Sequence, residues 1–445
     1  MALIEPRTLK GFRDYLPEQM IPRERLIETA RRVYRSYGFL PIDTPALEYA
    51  EILTGKGGDE SDKQLYRFQD HGGRDVALRF DLTVPLARFV AQYSNDLGLP
   101  FKRYHIASVW RGENTQRGRY REFMQCDFDT IGVEHIAADI EVGCVIHDLL
   151  RAIGFEEFRV RVNNRKLLTG VLEKLELAGK LVPVLRAIDK LDKLGADKVA
   201  EEIVREAQAT PEQARAVLRF ANLRESLPKD AGDDALIAAL REHARGNERA
   251  EAGLAELATL VETSRKAGLP AERLQIDLSI ARGLDYYTGT VFETVLGALP
   301  SIGSVCSGGR YDNLAQLYTK ERLPGIGASL GLDRLLAAME ELGMVEKRRA
   351  SASIFVPFFD AARLADYLTL CARLRKAGFG VEFFPEPKKL GAQLKYADRR
   401  GFKVALVLGE DEWKNGTCQV KDLAAQTARS VPQSALEHEL ALFRG

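Results

Sequence analysis

Residues 103 to 132 constrain the fold more tightly than any other stretch. Two strand-like runs flank the polar loop Asn114-Thr-Gln-Arg-Gly-Arg119, and a chain that reverses so briefly between extended runs reads as an antiparallel hairpin. On the second run, the two-residue period of a strand puts Phe123, Gln125, Asp127 and Asp129 on one face and Met124, Cys126 and Phe128 on the other. The apolar side belongs against a core. The opposite side aligns an amide and two carboxylates, which either meet water or hydrogen-bond a polar ligand, since antiparallel sheets often keep one wet face. The loop and its flanks hold Arg111, Arg117, Arg119 and Arg121 against Glu113 and Glu122, a local positive surplus suited to phosphates.

Three more segments combine glycine with arginine or tyrosine. Ile280-Ala-Arg-Gly-Leu-Asp-Tyr-Tyr-Thr-Gly289 and Ser307-Gly-Gly-Arg-Tyr-Asp312 read as turns, the second at the end of a strand. Gly325-Ile-Gly-Ala-Ser-Leu-Gly-Leu-Asp-Arg334 reads as a glycine-rich strand running into a helix. In each, glycine lets backbone or ligand approach closely, and each is equally readable as plain structure. Two phosphate motifs fail. The spacing of Gly325, Gly327 and Gly331 is not the G-x-G-x-x-G of a dinucleotide site, and Thr54-Gly-Lys-Gly-Gly is not a P-loop. Phosphate binding therefore rests on arginines.

Around these segments the chain alternates in texture. Leu26, Ala30, Val33 and Tyr37 recur at helical spacing before Gly38. Gly38 to Pro45 reads as extended because each proline pushes its predecessor toward the β region. Short strands dominate from about Asp75 to Gly132, and Ile140 to Ile153 is an apolar-periodic helix. Between about Leu172 and Ala271, Leu, Ala, Lys, Arg and Glu crowd together with few aromatics, which predicts an all-helical insertion. Strands return from Leu274 to Ser307, and a helix follows from Gly331 to Leu342. Beyond a hinge at Glu346-Lys-Arg-Arg349, three strand-like runs begin at Ser353, Gly380 and Lys403, and the helical stretches between them predict a small α/β domain.

Length and composition bound the rest. At 445 residues the chain holds about two to four domains. With 45% apolar and 29% charged residues it has globular composition. No run is apolar enough to cross a bilayer, and the N-terminal residues lack the pattern of a secretory signal. Five scattered cysteines form no C-x-x-C pair, so neither a disulfide framework nor a metal motif is indicated, and the cytoplasm is the expected compartment. Lys plus Arg equal Asp plus Glu at 64 each, a balance that averages away any local basic surface.

Taken in order, these segments resemble the class II aminoacyl-tRNA synthetases and, within them, the histidyl-tRNA synthetases. Tyr34 to Pro45, Arg111-Gly-Glu to Gln125 and Gly327 to Arg334 resemble the three motifs of the class. Arg282-Gly-Leu-Asp-Tyr-Tyr-Thr-Gly289, Gly308-Gly-Arg-Tyr-Asp312 and the opening Lys10-Gly-Phe-Arg-Asp-Tyr-Leu-Pro17 resemble peptides of the histidyl family. Arg79-Phe-Asp-Leu-Thr83 and Gln125-Cys-Asp-Phe-Asp129 are similar to the branch with aspartates where many bacterial members carry glutamate. The resemblance implies an α+β fold: an antiparallel-sheet catalytic domain (1–171 and 272–346), a helical insertion (172–271) and a C-terminal α/β anticodon-binding domain (350–445).

The resemblance also implies chemistry. ATP and Mg²⁺ would activate L-histidine, and tRNA(His) would accept it. Asp81, Leu82 and Thr83 would meet the α-ammonium with Gln125 nearby. Asp129, Tyr286, Tyr287 and Tyr311 would surround the side chain. Arg111 and Arg334 would hold the ATP phosphates, Glu113 would lie near adenine, and Arg282 would sit between carboxylate and α-phosphate. Gln116, Arg117 and Arg119 would approach the tRNA acceptor end, and the chain would work as a homodimer. The regulatory subunit of ATP phosphoribosyltransferase shares the catalytic fold, but that reading predicts eroded arginine and tyrosine motifs and no C-terminal domain, whereas here the motifs are intact and the C-terminal segment reads as a domain.

Overall fold

A computed structural model describes residues 3–54, 62–188, 190–228, 230–280, 286–346 and 349–443. The chain divides into two compact units, residues 1–13 with 25–344 and residues 14–24 with 345–445.

The first unit holds strands β1 (Leu40–Pro41), β2 (Leu47–Tyr49), β3 (Arg67–Gln69), β4 (Asp75–Leu78), β5 (Phe101–Trp110), β6 (Glu122–Ile131), β7 (Phe158–Asn164), β8 (Leu274–Ile276), β9 (Thr290–Leu296), β10 (Cys306–Tyr311) and β11 (Gly325–Gly331). Eight of them form one sheet in the order β1-β5-β6-β11-β10-β9-β7-β8. The six inner strands pair antiparallel, and β1 and β8 join the two edges in parallel. Strands β2, β4 and β3 make a separate antiparallel sheet.

The hairpin expected from the sequence is β5–β6, paired from Trp110↔Glu122 to Phe101↔Ile131. Its apolar face does what alternation requires. Cys126 and Phe128 are fully buried, the Phe128 ring lies 5.0 Å from Tyr34 and 5.5 Å from Phe39, and the Tyr34 hydroxyl donates to the Cys126 carbonyl at 2.9 Å. Tyr34 comes from the helix Pro17–Ser36, whose Leu26, Ala30 and Val33 are buried at the predicted spacing. Gly38, at φ +79°, ends that turn in the left-handed region. Truncating Phe128 to Ala would cost about 3–5 kcal/mol, the usual price of an emptied core aromatic.

The structure departs from the sequence reading in four places. The stretch from Asp75 to Gly132 is not all strand: Thr83–Leu97 is a helix with Val84, Leu86, Ala87 and Val90 buried. Its signal was present, because Asp81 Oδ1 accepts from the Thr83 and Val84 amides and Pro85 sits in the first turn, where proline costs no hydrogen bond. Ser307–Asp312 is not a turn, since Cys306–Tyr311 is an inner strand. Its glycines serve close packing: a Cβ at Gly308 would stand 2.1 Å from the Gly327 carbonyl oxygen. The helical run begins at Arg165, with Asn164 accepting from the Lys166 amide at 2.9 Å as its cap, and continues to Lys266. The last unit contains two further strands, described next.

In the second unit, β12 (Ile354–Val356), β13 (Val381–Phe383) and β14 (Val404–Val407) are the three expected strands, in parallel. β15 (Thr417–Asp422) and β16 (Thr427–Pro432) extend the sheet antiparallel beyond β14. β16 is exposed over Thr427–Ser430, so it carries little of the apolar pattern from which strands are read. The core gathers Ile354, Val356, Leu370, Leu374, Val404, Leu406 and Cys418. The hinge expected at 346–349 lies partly outside the described residues, at 347 and 348.

Candidate active site

One cavity of about 340 Å³ opens on the polar face of the large sheet. The ends of β6, β10 and β11, the start of the helix Thr83–Leu97, the loop after β5 and the helix Leu332–Glu341 all supply its walls. Of the residues expected at a site, it collects Asp81, Thr83, Arg111, Glu113, Arg119, Gln125, Tyr286, Tyr287 and Arg334. Leu82 is buried beside Asp81 and Thr83, its side chain packed away from solvent. Asp129 and Tyr311 are buried and stand outside the lining of the cavity, joined by a hydrogen bond from the Tyr311 hydroxyl to Asp129 Oδ1. Arg282, in 281–285, lies outside the described residues.

The row Gln125, Asp127 and Asp129 is buried, at 8%, 2% and 3% exposure, so its polar face is not a wetted one. Opposite Asp129 on β5 stands Arg103, wholly buried, with Nη2 2.6 Å from the Asp129 carboxylate. Burial pushes the carboxyl groups of Asp81, Asp127 and Asp129 upward, and Arg103 pulls each back. Asp127, which also feels Asp129, is pushed up to about 7. Beside it, His105 Nε2 donates to the Asp43 carboxylate at 2.9 Å. Burial together with Arg103 and Arg79 lowers that imidazole to about 4, so the contact is a hydrogen bond rather than an ion pair.

Arg111 is held by aromatic faces. Its guanidinium carbon lies 4.3 Å from the Phe80 ring centre and 5.0 Å from that of Phe123, and Nε donates to the Phe80 carbonyl at 3.2 Å. Burial lowers its pKa, opposed by Asp81 and Glu113. Arg334 Nη1 donates to the Ser304 carbonyl at 2.6 Å. Asp333 pins this corner: one oxygen accepts from the Met124 amide at 2.8 Å and the other from Arg13 Nη2 at 3.0 Å.

The positive surplus of the hairpin loop is partly spent within the protein. Arg117 pairs with Glu341 at 2.7 Å, Arg119 stands 3.6 Å from Glu113, and Arg121 donates to the Glu113 carbonyl at 3.3 Å. Gln116 is exposed and bridges Arg119 through the backbone. Sequence reasoning gave no site role to Arg103, Phe123, Glu293, Ser304, Ser307, Ser329 or Asp333. Ser329, Ser307 and Glu293 face the cavity because they stand in one row across β11, β10 and β9. No local pattern reveals such a row, since register joins residues far apart in sequence.

A mainly antiparallel sheet carrying an arginine- and carboxylate-lined cavity, bounded by the hairpin β5–β6 and by a strand leading into a helix, is the architecture of a class II aminoacyl-tRNA synthetase catalytic domain. A family model described as histidyl-tRNA synthetase matches residues 11–335, and one described as anticodon binding domain matches residues 355–441. The chain belongs to the histidyl-tRNA synthetase family. It is 60% identical to the histidine–tRNA ligase of Rhodopirellula baltica across 97% of this chain and 96% of that one. It is 50% identical to that of Wolinella succinogenes over 95% of both. Among solved structures, a histidyl-tRNA synthetase from a Nostoc species is 34% identical and superposes with a TM-score of 0.89, covering 99% of this chain and all of that one.

Proposed function

We propose that the chain is an ATP-dependent ligase that joins L-histidine to the 3′ end of tRNA(His). The observation that carries this reading is that Asp81, Thr83 and Gln125 share one cavity with Arg111 and Arg334, in a chain of this family. In the first step, an oxygen of the histidine carboxylate attacks the α-phosphorus of ATP, the bond to pyrophosphate breaks, and histidyl-adenylate forms. Like charges must meet, so positive charge at the transition state matters more than a base. Arg111 serves that end: ring faces fix its position with no salt bridge to it among the described residues. Arg334 is its counterpart on the helix Leu332–Glu341, and Arg282 is the third arginine on the strength of the resemblance. In the second step, a hydroxyl of the terminal tRNA ribose attacks the acyl carbon and AMP departs.

The acceptors Asp81 and Thr83, preceded at the helix start by Leu82, take the α-ammonium. Asp129, Tyr286, Tyr287 and Tyr311 surround the imidazole; Tyr286 and Tyr287 stay protonated because burial raises both, so they donate hydrogen bonds. A polar pocket of this kind rejects apolar amino acids by roughly 10⁴–10⁵, since they would leave buried groups unpaired. Glu113 meets adenine, and Gln116, Arg117 and Arg119 meet the acceptor end of the tRNA.

Mg²⁺ commonly takes one or two carboxylates together with phosphate oxygens, and Glu293 on the cavity wall is a donor of the right kind. When bound, the ion draws charge from the phosphates and eases the departure of pyrophosphate. Residues 1–171 and 272–346 form the catalytic body, 172–271 the insertion and 350–445 the anticodon-binding domain. The working form is a cytoplasmic homodimer.

The test is exchange of labelled pyrophosphate into ATP. It should require histidine and occur with no other amino acid. A folded protein that supports no exchange would overturn the reading.

A further inference from the structure

Gln125 ends in an amide, whose two faces are chemically opposite: a carbonyl oxygen accepts and an NH₂ group donates. Which of them meets the substrate decides what the substrate must carry. Three observations bear on the choice. Strands β6 and β11 pair antiparallel with Asp127 opposite Ser329 and Gln125 opposite Gly331. Because Gly331 offers no side chain, the Gln125 amide leans to the neighbouring position, and Nε2 donates to Ser329 Oγ at 2.8 Å. Gln125 Oε1 is left buried with no hydrogen-bond partner among the described residues, on a residue that lines the cavity.

The direction of the chain of hydrogen bonds follows from its far end. A carboxylate only accepts, and strand register sets Asp127 directly opposite Ser329 on the same face of the sheet, where its carboxylate is the neighbouring acceptor for the Ser329 hydroxyl. With that acceptor facing it, the single Ser329 proton is directed at Asp127 rather than at Gln125. Its oxygen must accept, and the one donor Gln125 has is its NH₂. That leaves Oε1 as the group presented to the cavity. Burial lifts Asp127 to about 7, so the relay is to be read on the alkaline side of that value.

We propose that Asp127 and Ser329 are positioning residues that hold the Gln125 amide with its oxygen toward the cavity, so that the site selects a substrate bearing an α-ammonium over one bearing an α-hydroxyl. The inference rests on the reading that Gln125 lies beside the α-amino group. An ammonium has three N–H donors, and Asp81, Thr83 and Gln125 Oε1 together offer three acceptors on the cavity wall. An α-hydroxyl supplies one donor and leaves buried acceptors unpaired. With the amide reversed, its NH₂ would face the ammonium and oppose it.

The experiment compares the KM for histidine with the inhibition constant of imidazole-lactate, which differs only in carrying a hydroxyl for the amine. Both are measured at pH 8 in pyrophosphate exchange. Ser329→Ala releases the amide, and the preference for histidine should narrow by about tenfold or more, the scale of one hydrogen bond to a charged group. The KM for ATP should stay within about twofold. Ser329→Thr, which keeps the hydroxyl, should restore the preference. Asp127→Asn should narrow it as well, because an amide both donates and accepts and no longer dictates the direction of the Ser329 proton. This variant reads the same relay should Ser329→Ala fail to fold.

Gln125→Met separates the two ideas. If it leaves the preference unchanged, the placement of Gln125 beside the α-amino group is wrong. If Gln125→Met narrows the preference while Ser329→Ala and Asp127→Asn do not, Gln125 acts alone and the proposed relay is overturned.

Discussion

Two buried arginines on the large sheet stand in opposite situations. Arg310, on β10, has its guanidinium fully engaged: Nε donates to Asp139 at 3.2 Å, Nη2 to the same carboxylate, and Nη1 to the Val133 carbonyl at 2.8 Å and to Asp312 at 3.3 Å. Arg103, on β5, is at least as deeply buried, yet among the described residues Nε and Nη1 have no hydrogen-bond partner, and neither do Gln125 Oε1 and Asp127 Oδ1 beside it. Each unpaired buried group costs about 1–3 kcal/mol. A fold that tolerates several in one place keeps them for something that binds there, whereas a saturated cluster has nothing left to offer a ligand. The Arg310 cluster is thus a brace between β10 and the helix Ala137–Ile153, and the Arg103 cluster adjoins the cavity through Gln125.

The largest effect expected from this contrast is on stability. Arg310→Met strands the carboxylate of Asp139 and should cost about 3–5 kcal/mol of unfolding free energy in denaturant titration. The KM for histidine in the folded fraction should change by less than about twofold. A large, selective KM effect would erase the distinction between brace and site.

Arg111→Ala should behave conversely. Exchange should slow by about 10²–10³, or roughly 2.7–4 kcal/mol, with the circular dichroism spectrum and the denaturation midpoint little changed. Asp129→Asn, at the unsaturated cluster, should raise the KM for histidine about 10- to 100-fold, the scale of a charged hydrogen bond, while leaving the KM for ATP alone.

The pH dependence sharpens the contrast further. The carboxyl of Asp127 is held at about 7, raised mainly by burial, from an ordinary 3.8. A raised folded pKa means that the group's contribution to stability is fully present below about pH 4 and is lost as pH rises toward 7. Asp127→Asn removes that loss, so the variant should gain on wild type between pH 5 and pH 8 in thermal melts. A constant difference across that range would mean that Asp127 ionises normally.

The smallest effect tests the rule itself. Thr294, on β9, is fully buried and its hydroxyl has no hydrogen-bond partner among the described residues. Thr294→Val should leave stability unchanged or raise it by up to about 1 kcal/mol, because a buried hydroxyl that bonds nothing is better removed.

Much of the candidate site could be read from local sequence. Period two alone set Gln125, Asp127 and Asp129 on one face of β6 and the core residues Cys126 and Phe128 on the other. The glycines and arginines of 280–289, 307–312 and 325–334 stood out by composition. What stayed hidden follows from non-local contact. The helix Thr83–Leu97 hides among strand-like runs, and its start is marked by Asp81, whose carboxylate accepts from the Thr83 and Val84 amides. The brace role of Arg310 depends on Asp139, 171 positions away. Ser329 looked like one small residue in a glycine-rich run until strand register set it opposite Asp127.

The sequence by itself determined the family, the two-part organisation of a chain ending in an anticodon-binding domain, and the residue types available to the site. Those properties reside in short segments whose alternation, spacing and turn chemistry are local. Only the tertiary structure decided that the polar face of β6 is buried rather than wet, which arginine is saturated and which is not, and which way the Gln125 amide points. Burial and hydrogen-bond satisfaction are properties of what packs against a residue, and for a sheet that is set by register between strands up to two hundred residues apart.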